Sequence, residues 1–208
     1  MKVSIIGAGN VGTALAGSLA RAGHTVTITA PNAEHATSAA ATSGATAVAS
    51  NAAAIDGADV VILAVPATAF ADIAEGAGSR FDGKVVIDVA NRPTPDPAGA
   101  TDAIAEELQV LIPKAKVIKA FNTAFASRQA DPTVGGTVAD GFVAGDDEAA
   151  KATVLDLVSS IGFRPVDAGS LASARTLEGM AWLNISRNIA GGTWQDAWVI
   201  VSPDSAGN

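Results

Sequence analysis

The sequence has no cysteine and no tyrosine, and only two of its 208 residues are histidines. Disulfides, thiolate nucleophiles and cysteine-based metal sites are therefore excluded. His24 and His35 do not have the spacing of metal ligands, and no serine lies in the Gly-x-Ser-x-Gly turn of α/β hydrolases. We therefore expect no metal site and no catalytic side chain of the thiol, zinc or serine-hydrolase type.

Positive charge is also scarce: the sequence has 13 Lys and Arg but 21 Asp and Glu, which gives a formal net charge of -8. Nucleic-acid surfaces need clustered Lys and Arg, and the sequence has no such cluster. It also has no apolar run long enough to span a membrane, and its apolar start lacks the cleavage site of a signal peptide. We expect a cytoplasmic protein whose partners are small-molecule cofactors, not nucleic acid or membrane.

A glycine-rich segment near the N-terminus has the pattern of a dinucleotide-binding turn. An apolar run at residues 3–6 leads into Gly-x-Gly-x-x-Gly and then into an amphipathic helical pattern. In this motif the first glycine permits a tight turn, the second lets the backbone approach a pyrophosphate, and the third lets the helix pack on the sheet. The amides at the helix N-terminus would face the phosphates. The predicted contacts are Gly7, Ala8, Gly9, Asn10, Val11 and Gly12; the alternative is a turn that binds nothing.

Strand-like apolar runs alternate with alanine-rich helical runs along the chain, which is typical of a parallel sheet covered on both faces. The predicted strands are 3–6, 25–29, 46–48, 59–65, 84–89, 116–121, 141–144 and 164–168, and a long helix is predicted over 173–189. No linker or repeat divides the chain. We therefore predict an α/β fold of the Rossmann type, with a doubly wound, mainly parallel sheet, a small C-terminal helical extension and one NAD(P)-binding domain over 1–208.

Three features of the C-terminal half have two interpretations each. Acids at 146–148 suggest a metal site, but acids in a first helical turn also cap free amides, which we favour. An apolar stripe on the late helix has the pattern of a core-facing or dimer-facing surface, which we favour over a contact with a cofactor. For three tryptophans near the C-terminus we favour packing in the core over a role in a second ligand site. The stripe is Leu177, Met180, Ala181, Ile185 and Ile189, and the tryptophans are Trp182, Trp194 and Trp198.

Ligands of open parallel sheets bind beyond the carboxyl ends of the strands. Predicted strands end in Val65-Pro66, in Asn91 and in Asn122-Thr123. The two asparagines are candidates to hydrogen-bond a ribose or a nicotinamide carboxamide, although asparagine beside Pro93 also suits a simple turn. With so few catalytic groups, the sequence favours hydride transfer between two bound carriers. A protein that binds a dinucleotide only as a signal remains the alternative.

Four motifs, in order, resemble the NADPH-dependent reductases of coenzyme F-420 (also written F420), an 8-hydroxy-5-deazaflavin, and their dinucleotide-binding relatives. The motifs lie at 7–12, 119–123, 144–147 and 166–171, and the likeness continues into the late helix of this chain. The chain also resembles the cytosolic domain of six-transmembrane ferric reductases. The resemblance implies a homodimer in which 123–208 completes the second-substrate cleft and the dimer surface. It implies a phosphate loop at 8–11 and nicotinamide contacts from Val65, Pro66, Asn91, Asn122, Thr123 and Ala126.

The sequence departs from this family at the end of the second strand. There the family has Ser-Arg to hold the adenosine 2′-phosphate, whereas this chain has Ala30-Pro31-Asn32, with His35 one turn later. It also lacks the acid that would bind a 2′-hydroxyl in an NAD site. The expected contacts at this end are Thr29, Ala30, Pro31, Asn32 and His35. We expect NADP(H) to remain preferred, with weakened discrimination.

The sequence thus predicts an NADP-linked oxidoreductase that transfers hydride between NADPH and coenzyme F-420. Two alternatives remain open: an NAD(P)H-dependent reductase of a flavin, a ferric chelate or a small carbonyl compound, and a non-catalytic NADP-binding redox sensor.

Overall fold

A computed structural model describes residues 1–92 and 102–202 of the chain, and a twisted eight-stranded sheet is its central element. The strands are β1 (Lys2–Ile6), β2 (Thr25–Thr29), β3 (Thr46–Ala47), β4 (Val60–Leu63), β5 (Val85–Asp88), β6 (Lys116–Ala120), the short hairpin of β7 (Thr133–Val134) and β8 (Thr137–Val138), β9 (Asp140–Gly145) and β10 (Arg164–Asp167). The large sheet has the order β10-β9-β6-β5-β4-β1-β2-β3.

Helices connect and cover these strands on both faces. They are α1 (Asn10–Arg21), α2 (Ala33–Ser43), α3 (Asn51–Asp56), α4 (Phe70–Ala77), α5 (Ile104–Leu111), α6 (Ala126–Ala130), α7 (Glu148–Ser160) and α8 (Ala174–Ile189). Short 3₁₀ turns precede α4 and α8 and follow α4. The predicted α/β Rossmann fold with a doubly wound, mainly parallel sheet is confirmed.

The core consists of two apolar layers, one on each face of the sheet. Successive side chains of a strand point to opposite faces, so a strand covered on both sides is apolar throughout. Strand β4 shows this: Val60 and Ile62 belong to one layer, and Val61 and Leu63 to the other. Burying each such side chain contributes about 1.5–3 kcal/mol. This explains why the run at 60–63 is the clearest strand signal in the sequence.

The strand order creates an opening for a ligand at the carboxyl ends of β1 and β4, which are neighbours in the middle of the sheet. From β1 the chain winds outward to β3, and then returns to β4, β5 and β6 on the other side, with all these strands parallel. The connections therefore leave β1 and β4 in opposite directions, which opens a crevice between them. The glycine motif follows β1 directly.

The C-terminal part contains more sheet than the predicted helical extension. Strand β9 pairs antiparallel with β6, and β10 pairs parallel with β9. Helix α8 then crosses to the carboxyl end of the sheet, and residues 190–202 follow it without regular structure. Several predicted strands end earlier than expected; β4 stops at Leu63, so Val65 lies in the following loop. Pro93 and the predicted end of the domain at 203–208 lie outside the described residues.

Candidate functional site

The three glycines of the N-terminal motif have distinct local environments. Gly7 has φ +118°, which L side chains rarely adopt, and an added Cβ would overlap the carbonyl of Ala64. An added Cβ at Gly12 would fall on the carbonyl oxygen of Gly7. At Gly9 a Cβ would meet no atom within 4 Å. Two glycines therefore allow β1, α1 and the β4 loop to pack, while Gly9 faces open space.

The N-terminus of α1 supplies donors to that space. Gly9 is the N-cap residue of α1, and no side chain caps this helix end. Amides in the first turn have no acceptor within a helix, and the helix dipole adds partial positive charge there. An anion at Gly9 would meet these amides without steric conflict. The turn therefore fits a dinucleotide pyrophosphate; the predicted contacts Ala8, Asn10 and Val11 belong to this turn.

A groove beside β2 forms one end of the predicted nucleotide site. It has a volume of about 250 Å³. Its lining residues are Ala30, Pro31, Ala33, Ala36, Thr37, Ala47, Val48 and Ala49. No lining side chain is charged, so the groove offers apolar contact to a base or ribose but no charged partner for a 2′-phosphate.

Three other predicted contacts lie around this groove. Thr29 is 1% exposed, and its carbonyl oxygen accepts from the amide of Gly7 at 2.9 Å. Asn32 is the N-cap of α2, and its Oδ1 accepts from the amides of Glu34 and His35 at 2.8 and 3.3 Å. The exposed His35 is outside the lining. Thr29 thus supports the glycine turn from inside, and Asn32 has its acceptor engaged in capping.

The other end of the site is a cleft of about 210 Å³. It is lined by Val11, Val89, Asn91, Phe121, Asn122, Thr123, Ala124, Phe125, Ala126, Ala181, Ile185 and Trp194. Four predicted nicotinamide contacts, Asn91, Asn122, Thr123 and Ala126, therefore meet in one place, next to Val11 of the glycine motif. Val65 and Pro66 are not in this lining; Val65 lies against Gly7 at the crevice between β1 and β4.

Asn91 and Asn122 form the polar part of the cleft. Their side chains bond to each other across the ends of β5 and β6, and the Oδ1 of Asn122 is buried without a donor in the described part of the chain. Leaving a buried acceptor unpaired costs about 1–3 kcal/mol. Asn91 and Asn122 supply amide groups to the lining, so the cleft fits the nicotinamide end of NADP(H).

A strained turn places Asn122. Phe121 has φ +63°, unusual for a bulky residue, and is buried at the end of β6. The buried side chain of Gln129 donates from Nε2 to the carbonyl oxygens of Phe121 and Ala124 at 2.7 and 3.2 Å. Ser18 of α1 in turn donates to the carbonyl oxygen of Gln129 at 2.6 Å. The turn is therefore held by α6 and by the helix that follows the glycine motif.

A buried ionic cluster lies behind the cleft. Lys119 and Asp88 are fully buried and Glu178 is 8% exposed. The Nζ of Lys119 lies 2.8 Å from Asp88 Oδ2 and 3.0 Å from Glu178 Oε1, and donates to the carbonyl oxygen of Ala90 at 2.6 Å. Removing one partner of a buried pair costs about 3–5 kcal/mol. The cluster joins β5, β6 and α8 next to the cleft.

Helix α8 and the segment after it form the apolar wall opposite the asparagines. Leu177 of the predicted stripe packs in the core, but Ala181 and Ile185 line the cleft, so the preference for core or dimer surface holds only in part. Ile189 is exposed. Trp194 also lines the cleft and is 46% exposed, contrary to the expected core packing, because the chain turns back after α8.

The acids at 146–148 are occupied by the fold. Asp147 caps α7 by accepting from the amide of Ala150 at 2.9 Å. Asp146 accepts from the amide of Leu171, and Glu148 pairs with Lys151. The amide of Ala150 and Lys116 lower the pKa of Asp147. The capping interpretation is confirmed. Within 1–92 and 102–202, no group of three or more His, Asp or Glu is arranged to hold a metal ion.

The sequence pattern did not predict the ionic cluster or Gln129, and for Ala181, Ile185 and Trp194 it favoured core packing over the position in the cleft that the structure shows. A signal for the cluster was present, because Asp88 and Lys119 interrupt otherwise apolar strands. Charged residues inside a buried strand require a partner. Nothing in the sequence pattern indicates that the partner is Glu178 of α8.

In the described part of the chain, no helix is both long and apolar enough to cross a membrane.

Comparisons with known proteins indicate the family of this chain. The model of the family described as coenzyme F420-dependent NADP oxidoreductase matches residues 2–92, which include the glycine turn and Asn91. A crystal structure from Arthrobacter sp. FB24, provisionally named an F420-dependent NADP-reductase, is 32% identical, with a TM-score of 0.86 over 97% of this chain and 100% of the other.

Two further relatives extend the comparison. A hypothetical protein of Sinorhizobium meliloti is 36% identical, with a TM-score of 0.75 over 84% of this chain and 88% of its own. Metalloreductase STEAP3 of Rattus norvegicus is 32% identical over 178 residues, or 85% of this chain. The chain spans only 36% of the length of that metalloreductase.

Proposed function

The chain belongs to the coenzyme F420-dependent NADP oxidoreductase family, and we propose that it transfers hydride between NADPH and a deazaflavin coenzyme such as F420. It is an NAD(P)-dependent oxidoreductase. One observation supports hydride transfer: no described residue that lines the cleft has an ionisable side chain. Hydride transfer between two cofactors needs positioning, since the cofactors supply the reacting atoms.

The residues of the site divide the binding of NADPH among them. Amides of the uncapped α1 terminus hold the pyrophosphate, and Gly9 leaves room for it. Asn91 and Asn122, which line the cleft, would lie beside the carboxamide of the nicotinamide. When bound, NADPH supplies the hydride. Phe125, Ile185 and Trp194 line the remaining space with apolar surface.

The apolar wall opposite Asn122 favours a planar conjugated acceptor. Aromatic rings stack on aromatic and aliphatic side chains, and Trp194 already contacts Phe125 edge-on, with ring centroids 5.2 Å apart. A small carbonyl compound would need an acid to protonate its oxygen, and the described lining has none. A ring system larger than the cleft can take its proton from solvent.

Anaerobic mixing of the protein with NADPH and oxidised F420 tests the proposal. We expect bleaching of the visible absorbance of the deazaflavin at a catalytic rate, and slower bleaching with NADH. NADPH binding without bleaching would exclude F420 as the acceptor.

A second candidate acceptor is a flavin or a ferric chelate. The similarity to Metalloreductase STEAP3 over most of this chain supports it, and a flavin has the same planar shape as a deazaflavin. Running the same assay with FMN, and with FMN plus a ferric chelate, distinguishes the two. Faster NADPH oxidation with FMN than with F420 would favour this candidate.

We also propose that the protein is a homodimer, as the family resemblance implies, and that it is cytoplasmic and has small-molecule cofactors as its partners. Sedimentation velocity on the purified chain should give twice the mass of one chain, and a monomer at all concentrations would exclude the dimer.

A further inference from the structure

The buried cluster behind the cleft contains more negative than positive charge. Asp88 and Glu178 are both bonded to Lys119, and both carboxylates are also held by backbone amides, those of Ala90 and Ile104 at 2.7 and 2.9 Å. When both carboxyl groups are ionised, two carboxylates and one ammonium group leave a surplus of one negative charge. Burial raises the pKa of Glu178, and the charge of Lys119 opposes that rise.

Each element of the cluster continues directly into the cleft. Asp88 precedes Asn91 by three residues on the β5 end, and Lys119 precedes Phe121 by two. Glu178 lies three residues before Ala181, which places the two on the same face of α8. Asn91, Phe121 and Ala181 all line the cleft. The surplus charge therefore lies immediately behind the surface against which the nicotinamide would bind.

Other charged groups near this end pair with one another at the surface. Arg175 contacts Glu106 and Asp102, and Arg92 contacts Glu107. These side chains are partly or largely exposed, so solvent screens their charge. Buried charge is screened much less, and its influence extends further.

A cluster that only joined three elements would not need this composition. Apolar side chains of similar volume stabilise a core at least as well as buried ion pairs do. A single carboxylate would already neutralise Lys119, but the second one, Glu178, adds a buried charge that costs desolvation. The composition thus suits a role in which the charge itself matters.

We propose that the surplus negative charge of Asp88, Lys119 and Glu178 favours the oxidised nicotinamide ring over the reduced ring in the cleft. Loss of a hydride, which carries one proton and two electrons to the acceptor, converts the neutral dihydronicotinamide into a cation. A negative charge behind the ring stabilises that cation and so promotes hydride donation. These three residues then act as positioning and tuning groups, and the inference rests on the proposed NADPH function.

The ratio of two dissociation constants, that of NADP⁺ over that of NADPH, tests the charge separately from the fold. Glu178→Gln removes one negative charge but keeps an oxygen that can accept from Lys119 and from the amide of Ile104. Asp88→Asn removes the same charge from the other side of Lys119. Glu75→Gln is the control, because Glu75 is exposed on α4. Binding is measured at pH 8, and the melting temperature of each ligand-free variant shows that the fold persists.

We expect the ratio to rise at least tenfold in both cluster variants, because a unit charge about 10 Å away at an effective dielectric constant of about 20 has an effect of at least this size. The control should leave it unchanged. An equal change in both dissociation constants, or an unchanged ratio in either folded variant, would overturn the inference but leave the proposed function intact. Failure of the wild-type protein to bind NADPH would overturn both.

Discussion

Asn91 and Asn122 hold each other across the ends of neighbouring strands. The Nδ2 of Asn122 donates to Asn91 Oδ1, and the Nδ2 of Asn91 donates to the carbonyl oxygen of Asn122, each at 2.9 Å. Both side-chain NH₂ groups are thus engaged, whereas the Oδ1 of Asn122 has no donor among the described residues. The two hydrogen bonds therefore fix both residues in the lining of the cleft.

Asn122→Ala should weaken NADPH binding about two- to tenfold, because it removes an amide of the lining and the bond that holds Asn91 there, and a net hydrogen bond contributes about 0.5–1.5 kcal/mol. Binding of 2′,5′-ADP, which lacks the nicotinamide, should be unchanged. Titration of both ligands by calorimetry checks this. Equal losses for both ligands would mean that the variant disturbs the whole site.

Gly9→Asp should abolish dinucleotide binding and leave the fold intact. Its Cβ would meet no protein atom, but the side chain would place bulk and negative charge where the pyrophosphate binds. We expect no detectable NADPH binding and a melting temperature close to that of the wild type. Undiminished binding would show that the phosphates lie elsewhere.

Gly12→Ala is the matched change in the same motif. Its Cβ would overlap the carbonyl oxygen of Gly7, so the turn or α1 must shift. We expect a clearly lower melting temperature, in contrast to Gly9→Asp. Equal melting temperatures for the two variants would contradict this division of roles.

Asn32→Arg should raise the preference for NADPH over NADH about tenfold, since a guanidinium group at the end of β2 can bind a 2′-phosphate bidentately. The change removes the cap of α2, which costs about 1 kcal/mol. Asn32→Ala removes the same cap without adding charge and serves as the control. The ratio of kcat/KM for the two nucleotides is the measurement, and a similar ratio in both variants would contradict the expectation.

Trp194→Ala should raise the KM for the acceptor about tenfold, because stacking against an aromatic ring contributes about 1–3 kcal/mol. Two hydrogen bonds hold the backbone of Trp194 and so position its ring. The Oδ1 of Asn188 accepts from the Trp194 amide at 2.6 Å, and Ser127 donates to the Trp194 carbonyl oxygen at 2.7 Å. Trp194→Phe should restore most of the loss, and NADPH affinity should stay constant. An acceptor KM unaffected by both changes would place the acceptor away from this wall.

Asp147→Asn should make the protein less sensitive to acid. The pKa of Asp147 is lowered in the folded state by the amide of Ala150 and by Lys116, so its contribution to stability is present above its unfolded pKa and is lost as pH falls through the folded value. Asparagine still caps α7 but does not titrate. Melting temperatures between pH 6 and pH 3 should fall less in the variant.

The exposed Asp156 of the same helix provides the comparison for that experiment. Asp156→Asn should retain the wild-type dependence of melting temperature on pH, since the structure assigns Asp156 no capping role. Identical acid sensitivity of Asp147→Asn and the wild type would mean that other carboxylates dominate acid unfolding.

Much of the fold could be predicted because its signals are local. Runs such as 60–63 and 85–88 are apolar because both faces are covered, and the glycine motif depends on contacts within one turn. Strand ends were less predictable: Val65 extends the apolar run of β4 but lies beyond its last pairing. The ends depend on pairing with neighbours, which composition does not record.

The sequence by itself determined the α/β class, the tight glycine turn after β1 and the strand-end asparagines, since each follows from periodicity or from the steric needs of adjacent residues. Only the tertiary structure decided that Asn91 meets Asn122, 31 positions away, and that Glu178 reaches Lys119 across 59. It also turned Trp194 toward the cleft. Such contacts join elements whose separation in the chain carries no signal, and they form only when the sheet and α8 pack together.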